Sequence, residues 1–345
     1  MEFVTGCSDS LHKIAAERSI SMEMHDEIAD PLWMALNFNT FERLNKIQKH
    51  GARFVHYTSA ENAYKMIAGE QVWLRNLQSM NDFMEVRHGA DNLAKALNKE
   101  DGSKKEFWAA LDQIRAGLSE RIIEKFNKCL PMVQQSTFAF CMSEHRIEED
   151  EIGRLSMWRA YGNKSGSVAI VVDGSPFLSS SQGEEIGAFT LPIDYLDATE
   201  VENVISKLAS KLIENSDAIR DVPEDKVVWQ ITVSLLMRAL SNKHPGFKEE
   251  LEWRIVYNEL FGKGKILKQE VESINGVPQL VNKLPVADYA NYGLQGTLLH
   301  QIVDRIIIGP SDQAWLIYDA FVRALQEKKV ENAADKVIVS DIPLR

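Results

Sequence analysis

Apolar and polar positions along the chain follow two periods that switch several times. Near the start, Leu11, Ile14 and Ala15 share a helical face, and Ser10 to Glu17 runs without Pro or Gly. Asp30-Pro31 opens a second helical stretch with Pro in its first turn. Leu32, Trp33, Leu36 and Phe38 weight that stretch, and Phe41, Leu44 and Ile47 continue it to Gly51. Residues 1–50 therefore predict a helical preface packed on a main domain at 51–345. There the period changes. Arg53 to Tyr57, short, aromatic and β-branched, predicts a strand. Thr58 or Ser59 caps a helix that turns Ala63, Met66 and Ile67 inward, and Gln71 to Leu74 predicts a second strand. Ser79 to Asp82 reads as a turn and helix cap, with Glu85 in the first turn beyond it.

A helical insertion follows over about 82–127, broken at Asp101-Gly102. Ser136 to Met142 predicts a strand, and His145 to Glu151, with four acids, a solvated excursion. A short helix at Ser156 to Gly162 precedes Gly166 to Val172, whose near-continuous apolar run predicts a central strand. A strand through Ile186 to Leu191 comes next, then helices around Val204 to Glu214 and Asp225 to Leu240, the second apolar on more than one side. Strands at Glu250 to Tyr257, Val303 to Ile308 and Lys336 to Ser340 complete the pattern, with a helix from Ser311 or Asp312 to Gln326 before the last. Strands and helices mix without a regular βαβ rhythm, which favours an α+β fold over a doubly wound sheet.

Composition narrows the function classes. The 345 residues are 45% hydrophobic and 26% charged, enough for one large core or two modest ones. With 39 basic and 50 acidic residues the formal charge is −11, which argues against a broad nucleic-acid-binding surface but not against a local anion pocket. Cys7, Cys129 and Cys141 form no CxxC pair, so reduced thiols in a cytoplasmic protein are expected, and no structural metal. No apolar run approaches a membrane span, and Met1-Glu2-Phe3 does not open a signal peptide. Dinucleotide-fold, P-loop, zincin, α/β-hydrolase and EF-hand motifs are all absent.

Several blocks in order carry a resemblance: FVHYTS at 54–59, SMNDFMEVRHG at 79–89, FAFCMSE at 138–144, SMWRAYG and GSVAIVVD at 156–173, ELEWRIVY at 250–257, and RIIIGP with VSDIPLR at 305–310 and 339–345. Together they resemble the DUF2971 family, a bacterial and phage-associated group of uncharacterised domains, from about residue 52 to the C-terminus. More weakly the pattern is similar to the ADP-ribosyltransferase superfamily, which holds NAD in the cleft of a split antiparallel sheet. That resemblance implies a split antiparallel sheet here, with NAD as substrate. It implies His56 on the first strand as the ribose-binding residue, followed by Tyr57 and Thr58, and Glu252 with Glu250 as the late-strand ExE. Ser136, Ser143 or Tyr161 would fill the middle motif. Tyr57 stands where some branches carry glycine.

Elementary chemistry gives each of these residues a second reading. His56 has a second reading as a satisfied core or strand-end histidine. Tyr57, one residue on, points to the opposite face and serves packing if His56 faces the cleft. Glu250 and Glu252, two apart on a strand, would share a face and repel unless a cation, proton or ligand relieves them. A carboxylate there suits an oxocarbenium-like ribose, whereas Arg254 on the same face offers a plain ion pair. Arg75, after the second strand, is placed to neutralise a diphosphate, with Arg53 and Arg159 as weaker candidates. Asn81, Asp82 and Glu85 are helix caps first and cleft residues second. Trp158 and Tyr161, three apart, present an aromatic face to a base or to the core. Ser143 ends a strand, a good position for a ligand contact.

Three functions follow as expectations. The first is an NAD-dependent ADP-ribosyltransferase acting on a protein, a nucleic acid or water, with toxin or phage-defence roles in view. The second is a non-enzymatic binding or regulatory module on the same fold. The third is a nuclease, for which Asp82, Glu85 and Glu252 would have to meet.

Overall fold

The computed structural model describes residues 31–79, 83–98, 103–161, 166–178, 187–262, 264–274, 276–290 and 295–343. The helix expected over Ser10 to Glu17, the Asp30 cap and the residues Asn81 and Asp82 lie outside them, as does the side chain of Glu85. In chain order the described elements begin with α1 (Pro31–Leu36), α2 (Phe38–Lys49), β1 (Arg53–Ser59), α3 (Ala60–Gly69) and β2 (Gln71–Asn76). Then come α4 (Phe83–Asn98), α5 (Ser103–Ile114), α6 (Leu118–Ser136), β3 (Phe138–Glu144), α7 (Leu155–Tyr161), β4 (Ser167–Asp173) and β5 (Ala188–Pro192). The second half holds α8 (Ala198–Glu214), α9 (Ser216–Asp221), α10 (Glu224–Ser241), β6 (Glu252–Tyr257), β7 (Lys268–Ile274), β8 (Val277–Pro285), α11 (Leu299–Ile302), β9 (Val303–Ile308), α12 (Ala314–Glu327) and β10 (Val337–Val339).

The fold is α+β around one mixed ten-stranded sheet, and the strand order β10-β9-β4-β1-β3-β2-β8-β7 does not close into a barrel. The expected antiparallel sheet has one exception among its named strand pairs: β9 and β10 run parallel, joined by α12, because a crossover helix returns the chain in the same direction. β4 is central, as its apolar run predicts, paired with β1 and β9 and buried on both faces. The β7–β8 hairpin, which the hydrophobic pattern did not single out, extends the sheet beyond β2. Its β7 side chains are mostly exposed, so it carries little of the apolar alternation that marks a half-buried strand.

β3 organises the site. Along one edge it pairs with β6 from Phe138 to Ser143. Along the other it meets β1 only at its C-terminal end, Val55 opposite Ser143 and Phe54 opposite Glu144, and β2 only at its N-terminal end, Arg75 opposite Ala139 and Asn76 opposite Phe138. β1 and β2 therefore diverge, and Phe140, Cys141 and Met142 have no strand partner on that side.

Five apolar clusters hold this arrangement. One face of the sheet packs Val168, Ile170, Ile306 and Ile308 against Ala63 and Ile67 of α3 and Phe321 of α12. On the opposite face, Val55, Tyr57, Ala169 and Val171 pack on Met157 and Trp158 of α7. The helical insertion does not stand alone: α4, α5 and α6 share a core with α1, α8 and α10, including Leu93, Leu111, Ile205 and Ile231. Leu236, Met237 and Leu240 of α10 then dock that bundle on Ala139, Leu191 and Val256 of the sheet. This explains why α10 is apolar all round: it lies between the bundle and the sheet. The described part of the preface joins the bundle core through Leu32 and Leu36, and Ile47 packs in a further cluster with Phe54, Trp73 and Trp253.

Two local expectations are corrected. The strand placed at Glu250 begins at Glu252: Pro245 to Glu250 is a 3-10 turn, and Leu251 takes φ 48°. Glu250 is thus off the strand. The acid-rich segment 145–151 is a solvated excursion only in part: Arg146, Ile147, Glu148 and Glu151 are exposed, while His145, Glu149 and Asp150 turn inward. His145 is buried with Nε2 2.8 Å from Asp150 Oδ1, Arg53 and Arg305 pair with Asp150, and Arg154 grips Glu149. Glu149 and Asp150 are drawn in because cations from β1, β9 and the 152–154 turn converge on them, which only the tertiary fold arranges.

Candidate functional site

Where β1 and β2 part, a cavity of about 570 Å³ opens, within the ~300–1,000 Å³ range of ligand pockets. Its walls are the β1 segment 55–59, Trp73 and Arg75 of β2, the β3 segment 139–143, Tyr161 of α7, Glu250 with Glu252, and the β7–β8 hairpin through Ile274, Val277 and Gln279. His56, Tyr57, Thr58, Arg75, Ser143, Tyr161, Glu250 and Glu252 thus meet in one cavity although 196 residues separate the first from the last. Trp158 and Arg254 do not line it. Trp158 is buried, donates Nε1–H to the Ile152 carbonyl at 2.8 Å and stands edge-on to Tyr57, with 4.8 Å between ring centroids. Ser136 donates to the Met132 carbonyl at the end of α6, away from the cavity wall.

His56 and Glu252 reach the cavity from different faces. Val55 pairs with Ser143 and Ser143 with Glu252, so Val55, Tyr57, Ser143 and Glu252 share one face and His56 belongs to the other. The parting lets the imidazole into the cavity nonetheless. Nδ1 lies 2.8 Å from the Cys141 carbonyl, which has no strand partner there, and the ring packs on Phe140 with centroids 4.3 Å apart. Because a carbonyl only accepts, Nδ1 carries the proton and Nε2 is left as an acceptor. Burial pushes the imidazole down to about 4, with Arg75 nearby adding to the effect, so His56 is neutral at pH 7. Tyr57 accepts the Arg154 backbone N–H at 2.9 Å, and burial drives its hydroxyl up to about 12.

Glu252 is buried, 4% exposed. Oε1 accepts from Arg254 Nε at 2.6 Å, and Oε2 from Arg254 Nη2 at 3.1 Å and Lys243 Nζ at 3.2 Å. Lys243 also donates to Glu250 at 2.6 Å, beneath the Phe247 ring at 4.7 Å. Burial pushes the Glu252 carboxyl up, but Arg254 and Lys243, with hydrogen bonds from Arg254 and Cys141, outweigh it and hold the group at about 2. Both the ion pair with Arg254 and a cation between the two glutamates are therefore present. Arg254 is spent on Glu252 and the Leu240 carbonyl. Lys243 was missed in the sequence. The charge count of ELEWR, two acids against one base, signals a missing cation but not where along the chain it lies.

At the opposite end of the cavity Arg75 donates Nε–H to Gln279 Oε1 at 3.1 Å and Nη2–H to the Ser79 carbonyl at 3.1 Å. Among the described residues no group of three or more His, Cys, Asp or Glu side chains is placed to hold a metal ion. No described helix is long and apolar enough to cross a membrane.

The family model described as "Protein of unknown function (DUF2971)" matches residues 157–255. That segment runs from α7 to within β6 and contains Trp158, Tyr161, Glu250, Glu252 and Arg254, while His56, Tyr57, Arg75 and Ser143 precede it. The match is narrower than the resemblance from residue 52 onward. No curated protein and no solved structure matches the chain.

Proposed function

We propose that the cleft between β1 and β2 binds NAD and that the chain is an ADP-ribosyltransferase-like enzyme. The observation that carries this reading is that a neutral histidine, an arginine and an ionised glutamate from three distant strands line one ligand-sized cavity where the sheet parts. His56 Nε2 accepts a hydrogen bond from a ribose hydroxyl. Arg75 faces the diphosphate, and Tyr57 and Tyr161 flank the rings, with Thr58 and Ser143 supplying hydroxyls. Trp158 and Arg254, outside the wall, act by fixing Tyr57 and Glu252; Asn81 and Asp82, outside the described residues, are ligand-binding candidates on the family resemblance alone. The ribose C–N bond breaks with its electron pair leaving on nicotinamide. Glu252, with Glu250 behind it, stabilises the cationic sugar until a nucleophile from a protein, a nucleic acid or water adds to it and loses its proton to solvent.

One observation favours a second reading, a binding or regulatory module. Arg254 and Lys243 already occupy both oxygens of Glu252 and neutralise the pair of carboxylates, which weakens the field a cationic sugar would feel. Nicotinamide release by the purified chain, with NAD binding followed by calorimetry, separates the two. Release that disappears in Glu252→Gln while NAD still binds supports transfer. Binding without release supports the module, and neither binding nor release removes NAD as the ligand.

A further inference from the structure

The Arg75 end of the cavity contains an amide whose orientation is forced. Arg75 has only donors on its guanidinium, so the Gln279 atom 3.1 Å from Arg75 Nε is the amide oxygen. Ser79 has one hydroxyl proton, which lies between the Asn76 carbonyl at 2.8 Å and Gln279 Oε1 at 3.1 Å, so Arg75 is the donor that fixes the amide. With Arg75 Nε–H on Oε1, the two N–H groups of Gln279 Nε2 are turned away from Arg75, with no protein acceptor among the described residues. Gln279 lies on the cavity wall, half-buried, on a hairpin strand whose register fixes it two residues from Val281, the partner of Arg75.

We infer that Gln279 is the residue that reads the ligand's phosphate. Its oxygen holds Arg75 in place while its N–H groups and the Arg75 guanidinium present donors to the same phosphate oxygens, so the subsite takes a phosphorylated ligand, a diphosphate in particular. This rests on the cleft being the nucleotide site but not on any bond being broken there. The polar arrangement also sets the ligand's direction: phosphates toward β2 and β8, the reacting sugar toward β3 and β6.

Gln279→Glu isolates the claim. A carboxylate still accepts from Arg75 and Ser79, so the anchoring role is retained, but both N–H donors are lost and a negative charge replaces them. Calorimetry with inorganic pyrophosphate and with ADP-ribose on the full chain is the assay, beside a thermal melt. The native chain binds both probes; Gln279→Glu melts at or above the native temperature and loses affinity for each by about tenfold or more. Gln279→Met, which removes donors and acceptor at similar length, shows the same loss and serves if the glutamate variant does not fold. Failure of the native chain to bind either probe, or native affinity in a folded variant, overturns the inference. Pyrophosphate binding without nicotinamide release leaves the subsite standing and sinks the transferase reading instead.

Discussion

Glu252→Gln tests how much the buried ion network holds the β3–β6 side of the cleft. In the native chain Glu252 takes three hydrogen bonds from Arg254 and Lys243, and Lys243 is itself only 1% exposed. A glutamine is nearly isosteric, but its amide brings N–H groups against Lys243 or Arg254, donor against donor, and leaves Arg254 a buried cation without a counter-charge on β6. Removing one partner of a buried ion pair costs about 3–5 kcal/mol. A carboxyl held at about 2 instead of 4.5 corresponds to about 3 kcal/mol of the same order. The sign follows from the depression: the unfolded chain binds the proton more readily, so this stability is complete above the ordinary carboxylate pKa and is lost as pH falls toward 2. Urea unfolding at pH 7 and at pH 3 is the assay. The native chain loses stability between the two, and the variant starts lower at pH 7 with a smaller loss on acidification. A variant as stable as the native chain at pH 7, with an unchanged acid dependence, would refute the claim that this network supports the site. The same measurement guards the activity test, since loss of nicotinamide release in this variant counts only where the protein is folded.

Lys243→Met leaves Glu250 and part of Glu252 without their shared cation; it is expected to lower stability by about 3 kcal/mol or more, and Lys243→Arg is expected to recover only part of this, as followed by urea midpoints. The His56 imidazole is expected to titrate near 4 by NMR, and its contribution to stability, present above pH 6.5, declines as pH falls toward 4; a midpoint near 6.5 removes the buried neutral tautomer from the argument. Trp158→Ala, emptying a buried site beside Tyr57, should cost about 3–5 kcal/mol of stability, whereas Tyr161→Ala on the cavity wall should weaken NAD binding with a smaller change in melting temperature.

How much of this was legible beforehand differs from residue to residue. β1, β4 and β9 could be read from the chain because each is a short β-branched run between turn residues, and pairing only buries what the pattern already marks. α10 declared itself as a helix buried on several sides, since apolar residues all round a helix leave no solvent face. His56 and Glu252 were reachable as candidates mainly through the family resemblance, which a polar group within an apolar strand supports, and Arg75 as a cation just after the second strand. Their meeting was not legible: it depends on β1 and β2 leaving the same edge of β3 at opposite ends, a matter of register between segments dozens of residues apart. Alternation alone puts His56 and Glu252 on opposite faces, and only the parting of the sheet lets the histidine reach the cavity, by hydrogen-bonding a carbonyl that has lost its strand partner. Lys243, Gln279 and the cations around Asp150 were invisible for the same reason. A charge or an amide is an ordinary surface residue in one dimension, and becomes a buried partner or a directed donor only when the tertiary fold brings the opposing group within hydrogen-bond distance and excludes water.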